Sequence, residues 1–208
     1  MIISLIGFMG CGKSSVGRRL SELLCCPFMD LDNVIEEQTG RAIPEIFATD
    51  GEAAFRQMEL EVLERILKQS LPSQAMGPSL CGQRGSTVLE HSLKPPTAIV
   101  SLGGGTVTQE RCAELVKEKT VCVYLRAAVD TLVERLSDEA VGRPMLSSGQ
   151  GADSHQSAES ALRTRIETLM AQRSAIYEST AHYIIDTDGL SIDEVAQSIT
   201  GIFKQICQ

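Results

Sequence analysis

Eight residues near the start of the chain, Gly7-Phe8-Met9-Gly10-Cys11-Gly12-Lys13-Ser14, match the pattern G-x-x-x-x-G-K-[ST] in full. In this pattern glycines let successive backbone N–H groups turn inward on a phosphate, and the following helix aims its positive end at the same place. Lys13 is then the group that reaches the terminal phosphates, and the Ser14 hydroxyl is a ligand for Mg²⁺. Gly10, Cys11, Gly12 and Ser15 complete the set of nucleotide-contacting positions. A glycine-rich turn that happens to hold a lysine is the competing account. The motif alone does not separate a kinase from a GTPase or a motor.

Asp30 and Asp32 follow at the end of a short apolar run. In extended backbone, residues i and i+2 face the same way. Two carboxylates beside a phosphate cradle have a natural division of labour: one holds Mg²⁺ through water, the other receives the proton of an attacking hydroxyl. Taken alone, the pair is explained equally well by Asp32 capping a helix with Asp30 merely exposed. Arginines that converge in one cleft could still bind an anion, since a guanidinium binds both oxygens of a carboxylate or phosphate at once. An arginine on a long helix is more commonly a solvated surface charge. Gly103-Gly104-Gly105 is either a simple turn or a place where backbone closes on a ligand.

The elements needed to position these residues can be read from periodicity and punctuation. Short apolar strands are expected at Met1 to Ile6, Pro27 to Leu31, Thr97 to Leu102, Thr120 to Leu125 and Tyr183 to Asp186. Between them lie helices from about Lys13 to Leu24, two short pieces from Asn33 to Ile46, and a long helix from Gly51 to about Lys68 with Phe55, Val62 and Ile66 on one stripe. Further helices are expected at Gln109 to Lys117, Ala128 to Ser137 and Ala158 to Tyr177. A last one is opened by a capping box of Ser191 and Glu194. Alternating strands and helices predict a three-layer α/β/α fold with a five-stranded parallel sheet. Ligands of such sheets sit at the carboxyl ends of the strands, where the first three strands here carry their glycine and acidic motifs. Leu71 to Pro96 holds four of the seven prolines and no sustained period, so it reads as an inserted surface loop. The stretch from 139 to about 157 has the Gly- and Ser-rich composition of a mobile lid around Arg143-Pro144. The whole reads as one domain, 1–208.

Composition narrows the function classes. Hydrophobic content of 43% and charged content of 22% are those of an ordinary globular protein, and no apolar run has the length of a membrane span. The N-terminus lacks a basic region, and its apolar stretch runs into the glycine motif, so no signal peptide is expected and a cytoplasmic location follows. A net charge of −8 argues against a nucleic-acid surface. Seven cysteines without a C-x-x-C pair, including the adjacent Cys25 and Cys26, read as buried small hydrophobes in a reducing compartment.

The ordered set of motifs resembles shikimate kinase, a nucleoside-monophosphate-kinase-like P-loop NTPase family. It comprises Gly7 to Ser14, Asp30-x-Asp32, Ile46-Phe47-Ala48-Thr49-Asp50-Gly51-Glu52 with Phe55-Arg56, Ser101 to Gly105, Arg143-Pro144-Met145-Leu146, and Arg173 four residues before Tyr177. The resemblance covers almost the whole chain apart from the insertion, and the segment between Leu146 and Ala158 also looks longer than the family's. It implies transfer of the γ-phosphate of MgATP to the 3-hydroxyl of shikimate, in a monomer. It assigns the shikimate carboxylate to Arg56 and Arg173, with Glu59 holding Arg56, and the ring hydroxyls to Asp32. Gly103, Gly104 and Gly105 would let backbone approach the acceptor. Asp30 and Ser101 would support Mg²⁺ through water, Arg143 would swing onto the transferred phosphate, and Arg135 would lie near the adenine. Two other readings stay open: a kinase of this fold acting on gluconate or a nucleotide, and a non-catalytic ATP-binding switch. With no Trp, five Phe and three Tyr, an aromatic platform for a nucleobase acceptor is the less expected of these. Cys11, at a helix N-terminus, is where a thiolate would be favoured and oxidation would inactivate.

Overall fold

The computed structural model describes residues 1–69, 96–137 and 155–207. The expected insertion, apart from Pro96, and the expected lid up to residue 154, with Arg143, lie outside the described residues.

Five parallel strands form one sheet among the described residues, in the order β2-β3-β1-β4-β5. They are β1 (Ile2–Ile6), β2 (Phe28–Asp30), β3 (Ala98–Ser101), β4 (Thr120–Arg126) and β5 (Tyr183–Asp186). The helices are α1 (Lys13–Leu24), α2 (Leu31–Thr39), α3 (Ile43–Thr49), α4 (Gly51–Gln69), α5 (Glu110–Lys119), α6 (Val129–Ser137), α7 (His155–Thr180) and α8 (Ile192–Ile206), with a 3₁₀ turn at Thr106–Thr108 after β3. The register places Ile3 of β1 between Ile99 and Val121, and the same offset runs along the whole strand.

Period-two alternation sends successive strand residues to opposite layers. Ile3 and Leu5 of β1 and Val123 and Leu125 of β4 enter a core completed by Val16 and Leu20 of α1, Leu132 and Leu136 of α6, Ile166 of α7 and Phe203 of α8. Ile2, Ile6, Val100, Cys122 and Tyr124 enter the other, closed by Leu31, Ile46, Phe55, Leu63, Val116 and Tyr177. Because both faces are covered, the central strands are continuous apolar runs; all five residues of β1 are buried. Its one polar member, Ser4, is paired at 2.6 Å with Thr120. The capping box of α8 is formed, with Ser191 Oγ accepting from the Glu194 backbone N–H and the Glu194 carboxylate accepting from the Ser191 N–H.

Two expectations need correction. Asp30 and Asp32 do not share an extended strand: β2 stops at Asp30, which is itself the cap of α2, its Oδ1 accepting from the Asp32 backbone N–H at 3.2 Å. Asp32 therefore sits in the first turn of a helix, where the orphan N–H groups favour carboxylates at both positions. The cysteines are not uniformly buried. Cys11, Cys26, Cys112 and Cys122 are, but Cys25 is exposed and Cys207 half-buried. Cys25 caps the C-terminus of α1 in the left-handed region, φ 49°, and that geometry turns its side chain out of the core.

Candidate active site

Two adjacent cavities open at the carboxyl ends of the strands. The larger, about 690 Å³, is lined by Gly10 to Val16, by Asp30, Ser101 and Arg135, and on the far wall by Thr187, Leu190, Ile192 and Val195. The smaller, about 260 Å³, is lined by Glu36, Ile43, Pro44, Phe47, Phe55, Arg56, Glu59, Gly105 and Arg173. Met9, Asp32, Gly103 and Gly104 line both, so they form the shared wall.

The larger cavity is built on the loop between β1 and α1. Gly7 has φ +142°, and a Cβ there would lie 2.5 Å from the Leu125 carbonyl, so only glycine lets β1 turn into the loop. Lys13 is nearly buried and donates to the carbonyls of Gly7 (3.0 Å) and Phe8 (2.8 Å), which hold its ammonium under the cradle. Ser14 Oγ donates to Asp30 Oδ2 at 2.6 Å. This hydroxyl and carboxylate, with Ser101 nearby at the end of β3, are hard oxygen donors that fit a divalent cation. They are too few to cage one alone, which suits a cation that completes its shell with phosphate oxygens and water. Arg135 lies at the rim and donates to the Gly10 carbonyl at 3.3 Å.

The smaller cavity is built on α2, α4, α7 and the glycine triplet. Asp32 carries its most unusual feature. Its Oδ1 is buried without a hydrogen-bond partner among the described residues. Burial, reinforced by the charges of Asp30, Glu59 and Glu36 and opposed by Lys13, pushes its carboxyl up to about 6. Arg56, one turn into α4, is gripped by Glu59 Oε2 at 2.6 Å and Glu52 Oε1 at 3.0 Å, and its guanidinium carbon lies 5.6 Å from the centre of the Phe55 ring. Glu59 is fully buried. Arg173, 6% exposed, donates to the Gly104 carbonyl at 3.4 Å, and the Tyr177 hydroxyl donates to the same oxygen.

The glycine triplet lines the smaller cavity and also makes room for its charged side chains. A Cβ at Gly105 would lie 2.4 to 2.7 Å from the Arg56 guanidinium, and one at Gly103 2.8 Å from Asp32 Oδ1 and 2.9 Å from Glu59 Oε1. Gly104 is less crowded, its nearest neighbour being the Met9 nitrogen at 3.4 Å. At Gly103 and Gly105 the missing side chains leave room for the charged groups.

Lys13, Ser14, Asp30, Asp32, Arg56, Ser101, Gly103 to Gly105, Arg135 and Arg173 all come together at this end of the sheet. Sequence reasoning missed the apolar wall of the smaller cavity. Phe47 and Phe55 pair there, ring centres 4.8 Å apart, beside Ile43 and Pro44. Phe55 belongs both to the core stripe of α4 and to this wall, and its neighbour Arg56 is the signal that the stripe borders a site. Thr106 and Gln109, which reach Glu59, carried no motif, and the wall from Thr187 to Val195 was marked only by the capping box of Ser191 and Glu194.

A phosphate-binding loop at the head of the central strand, opening onto a second chamber with a buried carboxylate and two arginines, defines a small-molecule kinase of the P-loop class. The shikimate kinase family model matches residues 9–75 and 82–204. The shikimate kinase of Chlorobium chlorochromatii is 36% identical over 199 residues, covering 96% of this chain and 88% of the relative, and that of Salinibacter ruber is 33% identical over 97% and 84%. Among solved structures, the shikimate kinase of Acinetobacter baumannii in complex with shikimate superposes with a TM-score of 0.75 at 28% identity, covering 98% of this chain and 93% of that one. The chain belongs to the shikimate kinase family. It is an ATP-dependent phosphotransferase with an alcohol as acceptor. Among the described residues no helix is long and apolar enough to cross a membrane.

Proposed function

We propose that this enzyme transfers the γ-phosphate of MgATP to the 3-hydroxyl of shikimate. The observation that carries the reading is the buried Oδ1 of Asp32, without a hydrogen-bond partner among the described residues, on the wall between the phosphate cradle and a chamber lined by Arg56 and Arg173. A buried carboxylate oxygen without a donor is costly, and an acceptor hydroxyl placed there supplies the missing hydrogen bond. The two guanidiniums suit the acceptor's carboxylate, and Phe47 and Phe55 its carbon ring.

The roles follow from that pose. Asp32, ionised above about pH 6, takes the proton of the attacking hydroxyl. The hydroxyl oxygen bonds to the γ-phosphorus as the bond to the β-phosphate oxygen breaks, and ADP leaves. Lys13 and the loop N–H groups hold the β- and γ-phosphates. Ser14 and, through water, Asp30 and Ser101 would hold Mg²⁺, which when bound would neutralise phosphate charge. Arg143 would add positive charge at the transferred group, and Arg135 would lie against the adenine. We further read the protein as a single domain acting as a cytoplasmic monomer, because every group named belongs to one chain and its cysteines suit a reducing compartment.

A coupled ADP-release assay tests this. Turnover should require shikimate and vanish in Lys13→Met with the fold intact. Turnover of gluconate or a nucleoside monophosphate in preference to shikimate would move the acceptor, and ATP binding with no acceptor turnover would favour a switch.

A further inference from the structure

We infer that Thr106 is a positioning residue for the acceptor, a hydroxyl latch through which the turn after β3 sets the aim of Arg56. The inference rests on the reading of Arg56 as the partner of the acceptor's carboxylate.

Arg56 is held by two carboxylates of unequal quality. Glu52 is exposed, with 58% of its side chain in solvent, and an exposed pair on a helix holds a long side chain only loosely. Glu59 is completely buried, so its orientation decides where the guanidinium points. Both oxygens of Glu59 are in use. Oε2 accepts from Arg56 Nη1 at 2.6 Å and from Gln109 Nε2 at 3.4 Å, while Oε1 accepts from the Thr106 hydroxyl at 2.5 Å. Thr106 is itself fully buried and tied to the glycine triplet, its backbone N–H donating to the Gly103 carbonyl at 3.1 Å. The hydroxyl thus links two halves of the acceptor chamber: the triplet at the end of β3, and α4 with its arginine.

Removing that hydroxyl leaves Glu59 Oε1 buried beside Gly103 without the donor it has among the described residues, which costs the carboxylate a hydrogen bond that water cannot replace. The carboxylate must turn toward the donors on its other oxygen, and Arg56 Nη1 must move with it. An effect through Arg56 falls on the acceptor. A general loosening of the core would fall on ATP and stability as well.

The test is steady-state kinetics on the full chain. Thr106→Val should raise the KM for shikimate roughly tenfold, the usual weight of a hydrogen bond to a charged group, with the KM for ATP and kcat within about twofold. Thr106→Ser should restore the wild-type KM. In a Glu59→Gln background, Thr106→Val should add less than about twofold, because its effect runs through that carboxylate. If Thr106→Val does not fold, Thr106→Ala carries the same comparison. An unchanged shikimate KM, an equal loss on ATP, failure of serine to rescue, or a full effect without Glu59 would each overturn the latch. A wild-type enzyme that ignores shikimate would remove the acceptor assignment and the latch with it. An active wild type with an indifferent Thr106 variant would remove the latch alone.

Discussion

Asp32 sets stability against function. Its raised carboxyl means that the fold prefers the protonated acid, so its contribution to stability is fully present below the unfolded value near 3.9 and is lost as pH rises through about 6. Above that pH the enzyme carries an ionised, poorly solvated carboxylate. Asp32→Asn should therefore be more stable than wild type by about 2 kcal/mol at pH 8 in urea denaturation, and most of the gain should be gone by pH 4. The same substitution should lower kcat by about 10²- to 10⁴-fold, since it removes the proton acceptor. In the unmodified enzyme, kcat/KM for shikimate should fall as pH drops through about 6. A profile flat down to pH 5 would take Asp32 out of the chemistry.

Helices serve this site mainly through their ends. The N-terminus of α1 faces the cradle, that of α2 carries Asp30 and Asp32, and that of α8 begins beside the far wall of the larger cavity, which includes Ile192 and Val195. The last is fastened by the reciprocal bonds of Ser191 and Glu194. Ser191→Ala should lower unfolding free energy by about 1 kcal/mol, measured by chemical denaturation. It should also weaken ATP binding more than shikimate binding, because the helix start borders only the nucleotide cavity. An equal loss on both substrates would argue that α8 stabilises the fold without shaping that wall. The mid-portions of helices act differently: Arg56, Glu59 and Arg173 reach the acceptor chamber from the flanks of α4 and α7.

The two cores share one sheet, and neither closes without it. Ile3 and Leu5 belong to one, Ile2 and Ile6 to the other, so loosening β1 exposes both at once. The protein should accordingly unfold in one cooperative transition, with coincident loss of far-ultraviolet circular dichroism and calorimetric signal. Two resolved transitions would contradict the single-domain reading. Ligand should shift that transition as a unit: MgATP at about one hundred times its Kd should add about 2.7 kcal/mol to the unfolding free energy.

Most of this architecture was legible in the order of residues. Lys13, the apolar runs of β1 and β4, and the capping box at Ser191 are local patterns, written in consecutive positions and governed by backbone geometry and period. The Asp30 and Asp32 pair was found for a reason that proved wrong, because an i, i+2 spacing reads alike in a strand and across a helix cap until hydrogen bonds choose. Cys25 was misjudged for a similar reason: burial is a property of where a helix ends and what lies beside it. The bond from Thr106 to Glu59 spans 47 positions, and the pairing of Phe47 with Phe55 matters only because α3 and α4 fold onto a glycine turn from β3. Local chemistry thus announced a phosphate-transferring loop and its candidate partners. Which oxygen is left bare, and which arginine is held by which buried carboxylate, depended on contacts between distant segments that no spacing encodes.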